Sequence, residues 1–217
     1  EDWLIFGSFD WGSTRPFSYG LWCVSNGESL PDGRIYPRGA LIRYDELYGW
    51  NGKPNEGLRM EVREVANEIK KLENGVKPAY RIADSAIWDV DGGPSIGEGF
   101  NKHGVVMRPA PKGKGSRHNG YIEVRQRIEG NTEGPMLYAT SICHNGFWRT
   151  MPDMVMDEHL HGIQSEDVDT DQEDHTYDEV RYACTSRPWQ RNIEKKKEPI
   201  DRWFKIEEKA EDSWRTL

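Results

Sequence analysis

Five side chains in this sequence have the types and positions to hold a hard divalent cation. Asp10 closes the run "IFGSFDWG", an apolar strand in which its carboxylate shares a face with Leu4 and Phe6. An unpartnered charge there is costly. Asp84 repeats the arrangement in "AYRIADSA". If the two strands are neighbours in one sheet, both carboxylates meet at one edge. Like charges at short range cannot both stay ionised without compensation, so either one is protonated or a divalent cation sits between them, and the cation is the simpler answer. The stretch "EDHTYDEVRYA", residues 173–183, supplies a third carboxylate from what reads as an amphipathic helix. Tyr177, Val180 and Cys184 form its apolar stripe, with Asp174, Asp178 and Arg181 along the border. Asp174 and Asp178 repel at i,i+4, which a metal would reverse, and His175 can ligate or orient a water. Asp10, Asp84 and Asp178 make an oxygen-rich set suited to magnesium or manganese, with Asp174 and His175 as auxiliary ligands. Two such ions about 4 Å apart activate a water and stabilise the leaving oxygen in phosphodiester hydrolysis.

Each residue also has a plainer role open to it. Asp10 can cap a turn with Gly12, Asp178 can pair with Arg181 at i+3, and Asp174 can stabilise the helix N-terminus. Asp89 and Asp91 in "WDVDGGPS" read as a turn rather than a calcium loop. His159 and His161 lack a third ligand for zinc. Cys143 and His144 are adjacent in the chain and so do not face each other as nucleophile and base.

The elements that must position these groups are legible in outline. "WLIFGSFDWG", "FSYGLWCVS" and "RIYPRGALIRYDELYGW" read as three strands joined as hairpins. A helix is expected to open at Asn55 and Glu56, with Met60, Val62, Val65, Ala66, Ile69 and Leu72 at helical spacing and Asn74-Gly75 as its stop. Short strands and helices alternate after it, the first strand running straight into Asp84. Hairpins followed by alternating units imply a mixed β-sheet with helices on its faces, an α/β fold.

The chain has 217 residues, 35% of them hydrophobic, enough for one sizeable core. A net charge of -8 argues against a bulk polycation. Three scattered cysteines point to a reducing compartment without a disulfide framework or zinc cluster. No run approaches a membrane span, so a cytosolic protein with no membrane partner is expected. The missing initiator Met is consistent with a fragment of something longer. Within this acidic chain, residues 101–128 carry Lys102, Arg108, Lys112, Lys114, Arg117, Arg125 and Arg127 against Glu123 alone, a formal +6. That is a phosphate-facing patch, and "PKGKGSRHNG" within it reads as a flexible loop able to drape along a duplex. No base-reading element is apparent, so binding should be largely sequence-independent. Residues 152–180 contain no Lys or Arg, and 165–174 read as a solvated loop. Residues 189–217 read as a peripheral helical tail with a lysine run at 195–197, following a domain over 1–188.

Taken together, "FDWG", "IADSAIWD", "GVVMRPAPKGKGSRHNGYIEVRQRI", "GPMLYATSICHNGFWRTMPDM" and "EDHTYDEVRYA", in that order over about residues 5–188, resemble the C-terminal nuclease domain of the large terminase subunit of tailed bacteriophages. The resemblance implies a ribonuclease H-like fold and an endonuclease that cuts concatemeric viral double-stranded DNA with two Mg²⁺ or Mn²⁺ ions. It also implies an ATPase domain upstream, a portal protein and a small terminase subunit as partners, and the cytoplasm of an infected host as the place of action. Asp10 looks like the first-strand metal aspartate, Asp84 like the second acidic ligand and Asp178 like the helix-borne third. The family often shows two adjacent aspartates where this chain has Asp174-His175. The rival readings are another nuclease of the same fold, such as a junction resolvase, and a non-catalytic module that docks on the portal or procapsid. No GxxxxGK[ST] loop is present, so ATP hydrolysis would belong to another domain.

Overall fold

Alternation along the first strand decides the architecture. In β1 (Leu4–Asp10), Phe6, Ser8 and Asp10 point to one face and Phe9 to the other, and residues 6–10 are all buried, as befits a central strand. β1 pairs antiparallel with β2 (Ser18–Val24), which pairs antiparallel with β3 (Leu41–Tyr48). The other edge of β1 runs parallel to β4 (Arg81–Ala83), and β5 (Arg108–Pro109) lies parallel beyond it. β6 (Leu137–Ala139) completes a six-stranded mixed sheet of order β5-β4-β1-β2-β3-β6. The computed structural model describes residues 3–90, 92–154 and 172–189.

Helices cover both faces. On one, Phe9, Tyr19 and Leu21 pack against Val65, Ala66 and Ile69 of α1 (Val62–Glu73) and Phe100 of α2 (Ile96–Lys102). On the other, Phe6, Trp22 and Leu41 meet Val124 of α3 (Ser116–Glu129) and Tyr177, Val180, Ala183 and Cys184 of α5 (His175–Ser186). A short α4 (Phe147–Thr150) packs beside them. Each large side chain buried this way contributes about 1.5–3 kcal/mol to holding the helices on the sheet.

Two expectations change. α1 begins at Val62 and not near residue 55, because Asn55 and Arg59 both lie at φ 56°, in the left-handed region, and Trp50 bridges Gly57 instead. Its stop is where the sequence puts it, with Asn74 in the left-handed conformation at φ 42°. The loop expected over "PKGKGSRHNG" shortens, since α3 starts at Ser116 behind Gly115 at φ 84°.

β3 carries an irregularity with consequences for the site. Leu21 pairs with Asp45 but Trp22 pairs with Arg43, leaving Tyr44 as the extra residue of a bulge. Arg43 and Glu46 would otherwise face opposite sides. The bulge puts Arg43, Glu46 and Tyr48 on the α5 side, where Arg43 comes within 3.4 Å of Glu46.

Candidate active site at the strand edge

Asp10 is the last residue of β1, and the parallel register Phe9↔Ala83 places Asp84 just beyond the neighbouring strand, its N–H donating to the Phe9 carbonyl at 3.2 Å. The Asp84 carboxylate also accepts the Ala86 N–H at 3.1 Å and so caps a short 3-10 turn. α5 crosses the same edge. His175 Nδ1 lies 3.0 Å from Asp10 Oδ2, and Asp178 Oδ1 accepts from Arg181 Nε and Nη2 at 3.1 and 2.9 Å. Arg117 of α3 approaches that oxygen at 4.0 Å. Asp174, at the start of α5, is buried and its side chain caps nothing. The plainer Asp178–Arg181 pair of the sequence analysis is therefore present, beside the other carboxylates rather than instead of them.

The electrostatics report how crowded this edge is. Burial, with Asp178 and Asp84 adding negative charge, pushes the Asp10 carboxyl up to about 7 against the pull of His175. Burial and Asp178 push Asp174 up to about 6, with His175 and Arg117 pulling against them. Burial works against the His175 imidazolium, but its bond to Asp10 and the charges of Asp10 and Asp174 leave it raised. The phenol of Tyr182 is raised by burial and then by Asp10, Asp178 and Asp84 together, so one ring feels all three carboxylates.

Among the described residues, no three His, Cys, Asp or Glu side chains already stand close enough to cage one ion. Asp10 is held by His175 and Asp178 by Arg181. The donor chemistry nevertheless fits a hard divalent cation: oxygens of Asp10, Asp84 and Asp178, mutual repulsion to be relieved at Asp10, and a His175 Nε2 that is buried without a hydrogen-bond partner.

The basic residues divide. Lys102, Arg108, Lys112, Lys114 and Arg125 are exposed. Arg108 lies 3.7 Å over the Tyr80 ring, Lys112 is 3.6 Å from Asp89, and Arg125 pairs with Glu129 at 2.8 Å. Lys112 and Lys114 line a cavity of about 290 Å³ together with Arg181 and Tyr182. Arg127 is a correction: it is 2% exposed, and its guanidinium donates to the carbonyls of Gly39, Met136 and Arg187, so it serves the fold and faces no phosphate. The helical periodicity of α3 turns it inward, which a count of charges along the sequence does not show. Asp89 is exposed, and Asp91, His159, His161, the acidic loop up to residue 171 and the tail from residue 190 lie outside the described residues. Cys143 is buried with its thiol against the Arg43 carbonyl and pushed up to about 11, while His144 is exposed and turned to the Ile142 carbonyl.

Sequence reasoning missed a buried polar cluster directly beneath the carboxylates. Glu179, fully buried, is 2.6 Å from Arg43 and accepts from Trp22 Nε1 at 2.9 Å and from the Ser8 hydroxyl. A Cβ on Gly20 would collide with the Glu179 carboxylate, so the glycine makes its room. Ser8, Ser18 and Gly20, small or polar positions on otherwise apolar strand faces, were the available signal.

No model of a known protein family and no curated protein matches the sequence. Solved structures do. The large terminase of a thermophilic bacteriophage, in complex with ADP, is 18% identical with a TM-score of 0.64, covering 86% of this chain and 40% of that one. The large terminase nuclease domain of P22 is 13% identical with a TM-score of 0.57, covering 87% and 84%. The large terminase nuclease from thermophilic phage G20c, with bound cobalt, is 12% identical with a TM-score of 0.52, covering 86% and 82%. The chain thus spans about two fifths of the ADP-bound terminase and most of the two nuclease structures. The likeness and the strand order make the fold ribonuclease H-like.

Proposed function

We propose that this chain is the nuclease domain of a bacteriophage large terminase subunit, a divalent-metal-dependent endonuclease acting on double-stranded DNA during genome packaging. The observation that carries this reading is the parallel register of β1 and β4 with α5 across their ends, which brings Asp10, Asp84, Asp178 and His175 to one edge. Asp10, Asp84 and Asp178 would hold Mg²⁺ or Mn²⁺, assisted by His175 and Asp174; the cobalt in the G20c nuclease supports a divalent ion in such a fold. A bound pair of ions supplies an activated water and neutralises charge at the leaving oxygen.

The chain's own residues do the rest. His175 restrains the Asp10 carboxylate through Nδ1, and Arg181 from within α5 and Arg117 from α3 restrain Asp178. Lys102, Arg108, Lys112, Lys114 and Arg125 hold backbone phosphates, contacts that position a duplex without reading it. In the whole protein an ATPase domain would precede this one, with portal and small terminase subunit as partners in the host cytoplasm.

The test is plasmid nicking and linearisation by the purified chain in Mn²⁺, Mg²⁺ or EDTA, beside Asp10→Asn, Asp84→Asn and Asp178→Asn. Metal-dependent cutting that falls by at least about 100-fold in each variant, roughly 3 kcal/mol of barrier, is expected. Retained cutting in all three variants sinks the reading. A strong preference for branched over linear DNA would favour a junction resolvase instead.

A further inference from the structure

The end of α5 that carries Asp174, His175 and Asp178 has no local cap: Asp174 occupies the N-cap position and its side chain accepts no hydrogen bond there. Something else must set where this end sits, since a displacement of about 1 Å at a reacting centre is enough to lose 100-fold in rate. The residue just before it shows what does. Glu173 receives donors from three separate segments. Arg149 of α4 grips both its oxygens at 2.5 and 3.0 Å, the Tyr48 hydroxyl at the end of β3 donates at 2.7 Å, and the Asn55 N–H donates at 3.1 Å from the loop after β3. Arg149 is itself fixed, 4.1 Å above the Trp50 ring and 5.5 Å from that of Tyr48. α4 is pinned in turn, because the Gly146 and Phe147 N–H groups donate to the Glu46 carboxylate at 2.8 and 3.0 Å. Glu46 and Tyr48 both face this side only because of the bulge at Tyr44. A chain of charge-assisted bonds therefore runs from β3 through α4 to the first turn of α5.

We propose that Glu173 is a positioning residue of the active site, and that the Glu173–Arg149–Tyr48 bracket sets the placement of the metal-bearing turn of α5. This rests on the nuclease reading above. Glu173 touches neither substrate nor reacting atoms. It acts through Asp174, His175 and Asp178, as an outer partner that orients metal ligands does.

Mn²⁺ binding to the purified chain, followed by electron paramagnetic resonance without DNA, tests the bracket alongside the kcat and KM of duplex nicking and the thermal unfolding midpoint. Glu173→Gln keeps the volume but cannot engage both guanidinium nitrogens as a carboxylate does. It and Arg149→Met are expected to weaken Mn²⁺ binding and lower kcat by about tenfold each, with KM for DNA unchanged, and the double variant no further. Tyr48→Phe, which keeps the ion pair and the ring, should weaken Mn²⁺ binding by about threefold and covers the case in which the others fail to fold. Mn²⁺ affinity and kcat within about twofold of wild type in these variants, with only the unfolding midpoint lowered, would make the bracket a brace for the fold and overturn the proposal. Asp10→Asn separates the two ideas: binding by the wild type that is lost in Asp10→Asn upholds the metal site whatever Glu173→Gln does. Absence of Mn²⁺ binding by the wild type overturns both.

Discussion

Asp178 and Glu179 are consecutive residues of α5 and live in opposite electrostatic settings. Glu179 points down onto the sheet, where Arg43, Trp22 and Ser8 surround a carboxylate with no solvent exposure. Burial pushes its carboxyl up and Arg43 pulls against that. Asp178 points to the strand edge, paired with Arg181 and approached by Arg117, and its charge adds to the burial that raises the Asp10 and Asp174 carboxyls. One cluster is closed and largely satisfied; the other keeps unresolved repulsion. Buried charge that is matched within the protein holds a fold, whereas charge left partly unmatched is available to an outside cation.

The contrast breaks most visibly at Arg43. Replacing it by Met strands Glu179 in the core, and urea unfolding should show a loss of about 3–5 kcal/mol. The double variant Arg43→Met with Glu179→Leu should recover a large part of that, since the Arg43–Glu179 pair is then removed whole and the Glu46 carboxylate that stays is held by the Gly146 and Phe147 N–H groups; a double variant as unstable as the single would show that shape, not charge, matters there. At the open cluster the sign reverses. In metal-free buffer at neutral pH, Asp10→Asn should raise the unfolding midpoint, because it removes a carboxylate whose charge is opposed first by burial and then by Asp178 and Asp84. A lower unfolding midpoint would mean that the repulsion at Asp10 is already compensated. The smallest effect belongs to the surface: Lys114→Ala should reduce the slope of log affinity against log salt for duplex DNA by about 1, measured by fluorescence anisotropy, without moving the unfolding midpoint.

Much of this was open to sequence reasoning. The strand-end aspartates, the helix bearing Asp178, the stop of α1 and the mixed sheet all follow from local pattern, because period-2 and period-3.6 alternation and turn chemistry act over a few residues. Arg127 was misplaced because a charge count has no direction, and only the rotation of α3 shows that this arginine faces the carbonyls of residues 39, 136 and 187. Glu179 and Glu173 were passed over because their partners lie far off in the chain. Arg43 is 136 residues from Glu179, and Tyr48 is 125 from Glu173.

By itself the sequence determined which residues could do chemistry, which segments form strands and helices, and which strand ends carry carboxylates. Only the tertiary structure decided that β1 and β4 run side by side in parallel, that a bulge at Tyr44 turns Arg43, Glu46 and Tyr48 toward α5, and that Asp178 and Glu179 part into open and closed clusters. The physical reason is range. Propensity and periodicity are encoded within one turn or one strand, while register and long-range ion pairing arise only when distant segments bury their apolar faces against each other.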